Sequence, residues 1–215
     1  MGERRIILWR HGRTSWNAER RFQGQSDIEL DDEGRAQAER AAELLAYLEP
    51  DRIIASDLAR AWATAQALSN RTGVQVRADA RLRETFAGEW EGLSRAELLE
   101  RHGDEVARWA SDPAARPGGG EPRIEVADRV VAAITDGLEE LAESETLVVA
   151  THGGAARAGI GALLELPPEQ WACLGVLSNC AWSILSENST GFGPAWRLQE
   201  YNAGSLPTPA LADDR

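Results

Sequence analysis

Two of the chain's three histidines occupy the same kind of position. His11 follows the apolar run 6–9, His152 follows the apolar run 147–150, and a glycine comes directly after each histidine. In open α/β sheets, ligands bind beyond the carboxyl ends of the strands, and a glycine there lets a ligand approach the backbone. A helix that starts at such a point directs free N–H groups toward an anion. The two histidines therefore predict an anion-binding site where two strands end.

Arginines gather around the first of these histidines. Residues 1–21 hold six arginines and two acidic residues, although the whole chain has a formal charge of −12. The planar guanidinium group matches phosphate oxygens, and a local positive cluster on an acidic protein favours a small anionic ligand over a polyanion. We expect Arg10, between the apolar run and His11, to contact that ligand. The overall acidity argues against binding to nucleic acid or to an anionic membrane surface.

All 23 basic residues are arginine. The absence of lysine excludes lysine Schiff-base chemistry and a P-loop lysine. The third histidine, His102, lies in Arg101-His102-Gly103, which repeats the letters around His11. We expect it to end the amphipathic helix 94–101, with Gly103 as the C-terminal cap, because cations and glycine are favoured there.

Hydrophobic and turn patterns predict strands that alternate with helices. Strands are expected at 6–9, 53–55, 74–76, 147–150, 181–185 and 196–201. Helices are expected at 31–48, 58–70, 94–111 in two pieces broken at Gly103, 124–143 and 154–165. This order predicts an α/β fold: a three-layer αβα sandwich with a mostly parallel central sheet and helices on both faces.

The length and composition are typical of one globular domain, with 43% hydrophobic and 27% charged residues among 215. We expect that domain to span 1–205 and to be followed by a flexible tail at 206–215. Residues 86–123 interrupt the alternation, contain a proline- and glycine-rich loop at 112–123, and are expected to form a lid-like insertion beside the site. Glu89 and Glu91, within that insertion, are expected to be solvated charges.

The two cysteines, Cys173 and Cys180, lack the spacing of a zinc site or of a redox pair. We expect both to be reduced residues of the core. The charged N-terminus leads into only four apolar residues, too few for a signal peptide, and no run approaches the 18 apolar residues of a membrane span. These features predict a cytoplasmic location.

Five sequence blocks then appear in a recognisable order. They are Arg10–Asn17, Arg21–Gly24, Ser56–Ala61, Leu82–Glu84 and Thr151–Gly154. The set resembles the signature blocks of the histidine phosphatase superfamily, also called the phosphoglycerate-mutase-like family, and the resemblance covers residues 4 to about 200. A lone Arg-His-Gly is weak evidence, as 101–103 shows, whereas the ordered set is specific.

The resemblance implies a reaction and a role for each matched residue. His11 would be the nucleophile that forms a phosphohistidine, attacking as a neutral imidazole whose other nitrogen is hydrogen-bonded. Glu84 would donate a proton to the leaving oxygen and would be kept protonated by the phosphate beside it. Charge neutralisation around the phosphoryl group would come from Arg10, Arg60 and His152. Further phosphate-binding positions would be Asn17, Gln23, Gly24 and Gly153. No metal or cofactor is implied.

Within the family, the pair Gln23-Gly24 and the lack of a long insertion after Glu84 favour phosphatases over cofactor-dependent phosphoglycerate mutases. Several blocks, including 81–85, 118–121 and 166–167, resemble actinobacterial glucosyl-3-phosphoglycerate phosphatases. The open alternatives are a broad-specificity phosphatase, an α-ribazole phosphatase, a phosphoglycerate mutase and a non-catalytic phospho-ligand binder. The expected partner is a small phosphorylated substrate, and a homodimer stays open.

A substrate with a phosphate, a carboxylate and a sugar needs contacts besides those to the phosphate. The candidate carboxylate donors are Arg13, Arg21 and Arg83. The candidate sugar contacts are Trp16, Phe22, Gln23 and Trp90.

Overall fold

The structure, a computed structural model, describes residues 3–204. Within them the strands are β1 (Arg5–Arg10), β2 (Arg52–Ala55), β3 (Val76–Ala78), β4 (Thr146–Thr151), β5 (Trp182–Glu187) and β6 (Trp196–Ala203). They form one six-stranded sheet in the order β3-β2-β4-β1-β5-β6. The first four of these strands are parallel, whereas β5 runs antiparallel to β1 and β6 runs antiparallel to β5.

Helices cover both faces of the sheet. They are α1 (Ser15–Ala18), α2 (Asp32–Ala46), α3 (Ala59–Thr72), α4 (Arg95–Ser111), α5 (Arg123–Glu139) and α6 (Gly153–Leu163). Successive β1 side chains point to opposite faces: Ile7 and Trp9 belong to the core with α2 and α3, and Ile6 and Leu8 to the core with α5 and α6. A strand buried on both faces reads as a continuous apolar run, which explains the 6–9 pattern. The predicted three-layer α/β fold is therefore confirmed.

Several element boundaries differ from the predictions. Strand β3 covers Val76–Ala78 rather than 74–76, α5 ends at Glu139 rather than at 143, and the single-turn helix α1 was missed. Three of these six helices begin at a capping side chain: at the start of α2, for example, the Asp31 side chain accepts from the Gly34 N–H. At the end of α3, Gly73 takes a left-handed conformation with φ 76°.

The predicted two helical pieces over 94–111 are confirmed: the backbone of α4 breaks at His102, with φ −134° and ψ 27°, one residue before the predicted break. The predicted cap is wrong, because Gly103 does not take a left-handed conformation. The core prediction for the cysteines is wrong for Cys173, which is exposed, whereas Cys180 is buried; both are free thiols. Among residues 3–204, no helix is both long enough and apolar enough to cross a membrane.

The stretch 86–123 contains α4 between two single 3-10 turns, Gly88–Trp90 and Pro117–Gly119. It has a small apolar core of its own, which Phe22 joins from outside the stretch. Backbone meets backbone closely here: a Cβ atom at Gly120 would lie 1.9 Å from the Phe86 carbonyl oxygen, so this position requires glycine. Its action as a lid stays a prediction, and the predicted tail at 206–215 lies outside the described residues.

Candidate active site

Three parallel strands end together at one edge of the sheet. Strand β4 lies between β1 and β2, with Arg10 opposite Thr151 and Ala55 opposite Ala150. His11, His152 and Ser56, the residues that follow these three strand ends, are therefore neighbours. The two imidazole centroids lie 5.1 Å apart, and both rings are buried. The strand-end argument placed the histidines together correctly.

His11 is held in one tautomer. Its Nδ1 lies 2.7 Å from the Gly12 carbonyl oxygen, which only accepts hydrogen bonds, so Nδ1 carries the proton and Nε2 keeps its lone pair. Burial, followed by the charges of Arg60 and Arg10, lowers the pKa of His11 well below its ordinary value. The ring is therefore a neutral imidazole with a free lone pair, which is the form that can act as a nucleophile.

His152 lies deeper than His11 and has no exposed surface. Its Nε2 lies 2.8 Å from the Ser56 hydroxyl oxygen. Burial, the charge of Arg60 and the neighbouring His11 lower its pKa well below the ordinary value. Ser56 belongs to a motif block, but its contact with His152 was not predicted.

The two buried arginines are anchored on backbone carbonyls. Arg10 Nη1 donates to the Leu177 carbonyl at 2.5 Å, and the two terminal nitrogens of Arg60 donate to the carbonyls of Ser26 and Gly24, each at 2.8 Å. Burial is the main cause that lowers the pKa of Arg60 to about 10, so this side chain stays charged at neutral pH. Both cations are thus held in place before any anion binds, as electrostatic preorganisation requires.

Glu84 lies at the N-terminus of α6. Its carboxylate accepts the N–H groups of Gly154 at 2.8 Å, Ala155 at 2.9 Å and Thr85 at 2.8 Å. A Cβ atom at Gly154 would lie 2.7 Å from Glu84 Oε1, so glycine is needed for this approach. A Cβ atom at Gly153 would lie 2.5 Å from Val176 Cγ1, so this glycine is explained by packing.

Asn17 and Gln23 are joined through the Thr14 hydroxyl. The N–H of Asn17 donates to that oxygen at 3.1 Å, and the Thr14 hydroxyl donates to Gln23 Oε1 at 3.1 Å. Asn179, which the sequence analysis missed, donates through Nδ2 to the His11 carbonyl and to Asn17 Oδ1, each at 3.2 Å. No spacing rule connects Asn179 to the N-terminal motif, because the contact exists only through the pairing of β5 with β1.

The prediction that Glu91 is a solvated charge is wrong. Its carboxylate accepts the N–H groups of Gln25 at 2.9 Å and Ala87 at 3.1 Å, and the Ser26 hydroxyl at 2.7 Å. Glu91 therefore joins the 86–123 stretch to the loop that carries Gly24. Glu89 is exposed, as expected.

Part of this site lines a cavity of about 170 Å³, and His152 lies behind that lining rather than in it. The predicted site residues in the lining are Arg10, His11, Asn17, Gln23, Gly24, Arg60 and Glu84. Of the described residues that line it, seven are arginine and only Glu84 is acidic. The arginines are Arg10, Arg20, Arg21, Arg60, Arg95, Arg123 and Arg157. Large aromatic side chains line it as well: Phe22, Trp90, Trp109 and Trp171. The predicted anionic ligand therefore has a strongly positive cavity, although the protein as a whole is acidic.

The structure changes the set of residues available for the rest of a substrate. Arg13 pairs with Asp31 at 2.8 Å, Arg83 pairs with Asp57 at 2.6 Å, and neither arginine lines the cavity. Trp16 also lies outside the lining. Arg21, Phe22, Gln23 and Trp90 do line the cavity. Within the described range, no group of three or more His, Cys, Asp or Glu side chains is placed to hold a metal ion.

The sequence profile of the histidine phosphatase superfamily (branch 1) matches residues 6–203. The chain belongs to this family. It is a phosphomonoester hydrolase, and members of the family act on small phosphorylated substrates.

Known relatives cover nearly the whole chain. A glucosyl-3-phosphoglycerate phosphatase of Mycobacterium tuberculosis is 40% identical over 95% of this chain and 97% of its own length. A probable phosphoglycerate mutase of Salmonella typhi is 35% identical over 96% of each chain. The solved structure of mycobacterial glucosyl-3-phosphoglycerate phosphatase with VO3 superimposes with a TM-score of 0.87 at 41% identity, covering 94% of this chain and 100% of that one.

Proposed function

We propose that this enzyme hydrolyses glucosyl-3-phosphoglycerate to glucosylglycerate and phosphate through a phosphohistidine on His11. The observation that carries the phosphohistidine is the tautomer of His11. Its Nδ1–H is held by the Gly12 carbonyl, so the Nε2 lone pair is available, and the charges of the anchored Arg60 and Arg10 act on the ring. In this proposal the phosphoryl group binds at that nitrogen. Its charge is stabilised by Arg10, Arg60 and His152, and its leaving oxygen receives a proton from Glu84.

The reaction has two transfers at phosphorus. In the first, His11 Nε2 forms a bond to phosphorus, the bond from phosphorus to the ester oxygen breaks, and Glu84 gives its proton to that oxygen. In the second, water attacks the phosphohistidine, gives a proton to Glu84 and releases phosphate, which restores His11. Phosphoryl transfer is accelerated mainly by positioning and charge stabilisation, the tasks proposed for Arg10, Arg60 and His152 together with Asn17.

Glu84 must carry a proton before the first transfer. Three N–H groups donate to its carboxyl oxygens and fix the position of the side chain. The phosphate that binds beside it brings a negative charge, which favours the protonated form. We therefore assign the acid role to Glu84 in the substrate complex.

The cavity supports a substrate with a second anionic group and a bulky apolar face. Arg157 lies on α6, three residues after Gly154, and lines the cavity half-buried. It forms no ion pair with an acidic side chain of residues 3–204. A partly buried cation is stabilised by an opposite charge, so we assign the carboxylate of the substrate to Arg157. The aromatic lining provides a surface on which a sugar can pack.

The substrate proposal is tested by kcat/KM across phosphomonoesters. We expect glucosyl-3-phosphoglycerate to exceed 3-phosphoglycerate, α-ribazole phosphate and simple sugar phosphates. A tenfold preference for one of the others, about 1.4 kcal/mol in transition-state binding, would refute the substrate and leave a phosphatase of other specificity. Conversion of 3-phosphoglycerate to 2-phosphoglycerate without phosphate release would instead indicate a mutase.

A further inference from the structure

Glu84 lies in a stretch, 83–87, that belongs to no helix or strand. Irregular backbone has no ladder to satisfy its N–H and C=O groups, so side chains, turns or water must do so. A general acid has to stay within hydrogen-bond distance of the leaving oxygen. The backbone around Glu84 must therefore be fixed by contacts from elsewhere in the fold.

One side chain provides most of those contacts. Arg129 Nη1 donates to the carbonyls of Arg81 and Arg83, each at 2.6 Å, and Arg129 Nη2 donates to the carbonyl of Glu84 at 2.9 Å. Arg129 lies on α5, a 17-residue helix that packs against the sheet and α6. Its side chain is only 17% exposed. The guanidinium group thus links a rigid helix to the backbone on the N-terminal side of the acid.

Glu121 completes the arrangement on the other side. Its carboxylate accepts Arg129 Nε and Nη2, each at 2.9 Å, and the Phe86 N–H at 2.9 Å, while its own N–H donates to the Phe86 carbonyl at 2.8 Å. Burial by itself raises the pKa of Glu121, but the hydrogen bonds from Arg129 and Phe86 outweigh it and the pKa is lowered. Glu121 is therefore an anion that fixes the orientation of Arg129 and grips residue 86.

We propose that Arg129 and Glu121 are positioning residues for the general acid Glu84. The ion pair and its contacts hold the backbone at 81–84 and at 86, on both sides of the acid. This inference rests on the acid role of Glu84 given under the proposed function. It also explains the Gly118–Glu121 block, which the reaction itself does not use. Of its three glycines, Gly118 and Gly120 let the backbone approach 86–90, and Glu121 then reaches Arg129.

Loss of this support affects proton donation more than phosphate binding. His11, Arg10 and Arg60 are held by other contacts, at Gly12, Leu177, Gly24 and Ser26. A displacement of about 1 Å in a reacting group can cost about 10²-fold in rate. A poor leaving group needs the proton, whereas an activated aryl leaving group departs without it. The readout is therefore the dependence on the leaving group, which a general loss of structure does not change.

The experiment measures kcat/KM for glycerol 3-phosphate, with a poor leaving group, and 4-nitrophenyl phosphate, with a good one. We expect Arg129→Gln to lower the first value at least tenfold and the second less than threefold. Glu121→Gln keeps the shape and removes only the charge, so it carries the test if Arg129→Gln fails to fold. We expect it to change the two values in the same direction by a smaller factor.

Arg4 offers a matched control. It pairs with Glu187 through two hydrogen bonds, at 2.6 and 3.0 Å, and reaches the Leu138 carbonyl at 3.4 Å. This pair lies at the start of β1, away from His11. Arg4→Gln removes a similar ion pair, and we expect the ratio of the two kcat/KM values to stay within twofold of wild type.

A double variant separates positioning from a structural role. In a protein that already carries Glu84→Gln, the residue positioned by Arg129 has no proton to give. Adding Arg129→Gln should then lower kcat/KM for glycerol 3-phosphate by no more than it lowers kcat/KM for 4-nitrophenyl phosphate. Fully additive losses, or equal losses for the two esters in Arg129→Gln alone, would overturn the inference. If Glu84→Gln itself lowers kcat/KM equally for both esters, the acid role of Glu84 and the inference drawn from it both fail. A wild-type enzyme that releases no phosphate from either ester or from glucosyl-3-phosphoglycerate would refute the proposed function instead.

Discussion

The two sides of the candidate site are built on different principles. The side with His11 and His152 follows the ends of adjacent parallel strands, so the hydrogen-bond ladder of the sheet sets the position of the two rings. The side with Glu84 is irregular backbone, held by an ion pair from α5 and by the N-terminus of α6. The comparison teaches that the position of His11, the proposed nucleophile, depends on the sheet, whereas that of Glu84, the proposed acid, depends on a few side chains distant in sequence.

The largest expected effect is at the sheet side. Replacing His11 by alanine removes the only nucleophile in the proposed reaction, and turnover should fall by roughly 10⁴-fold or more. Acid quenching of wild type should trap an acid-labile phosphoprotein that the variant lacks. His102→Asn, a histidine outside the site, is the control and should keep wild-type turnover. Near-normal turnover in His11→Ala would refute the assignment.

The next effect is at the acid side. Glu84→Gln keeps the size and removes the proton, and general acid catalysis contributes roughly 10²- to 10⁴-fold. We expect a loss of that order in kcat/KM for glycerol 3-phosphate and a much smaller loss for 4-nitrophenyl phosphate. A flat dependence on the leaving group would show that Glu84 has another task.

A smaller effect is expected for Arg157, the arginine of α6 that lines the cavity. Arg157→Gln should lower kcat/KM about tenfold for 3-phosphoglycerate, a loss of about 1.4 kcal/mol, and hardly at all for glycerol 3-phosphate, which lacks the carboxylate. Arg13→Gln is the control, because Arg13 pairs with Asp31 outside the cavity. Equal losses of kcat/KM for the two esters would refute the assignment of the substrate carboxylate to Arg157.

The pH dependence of stability probes the sheet side without substrate. The pKa values of His11 and His152 are lowered by burial first and then by the charge of Arg60. Below about pH 6.5, the unfolded histidines take up protons that the folded ones refuse. The free energy of unfolding should therefore fall as the pH is lowered, by at most about 1.4 kcal/mol per pH unit for each histidine, and should show no such contribution above that pH. Denaturant unfolding of wild type and His152→Asn over a range of pH measures this dependence. If the free energy of unfolding changes with pH equally steeply in the two proteins, the prediction is contradicted.

The smallest expected effect is that of a chelator. Arg10, Arg60 and His152 are assigned the charge stabilisation that a metal provides in other phosphatases. Excess chelator should leave kcat/KM unchanged. A loss of activity that a divalent ion restores would contradict the proposed division of roles on both sides of the candidate site.

Much of the side that holds the two histidines could be predicted from the sequence. Apolar runs that end in His-Gly mark buried strands with a ligand-binding edge, because a parallel sheet buries both faces and gathers its strand ends. That pattern predicted the fold class and the meeting of His11 with His152, and the ordered blocks added Arg60 and Glu84. These signals are local, since each depends on a few consecutive residues.

Only the tertiary structure showed which side chains hold the site residues in place and which arginines line the cavity. Asn179 reaches Asn17, Glu91 reaches Gln25, and Arg129 reaches Glu84 across 45 or more positions in the chain. It also decided which arginines face the cavity: Arg13 and Arg83 turn to nearby carboxylates, and Arg157 enters the lining. An arginine's partner depends on which oxygens the fold brings within about 3 Å of its guanidinium group, and that distance is a property of packing rather than of local sequence.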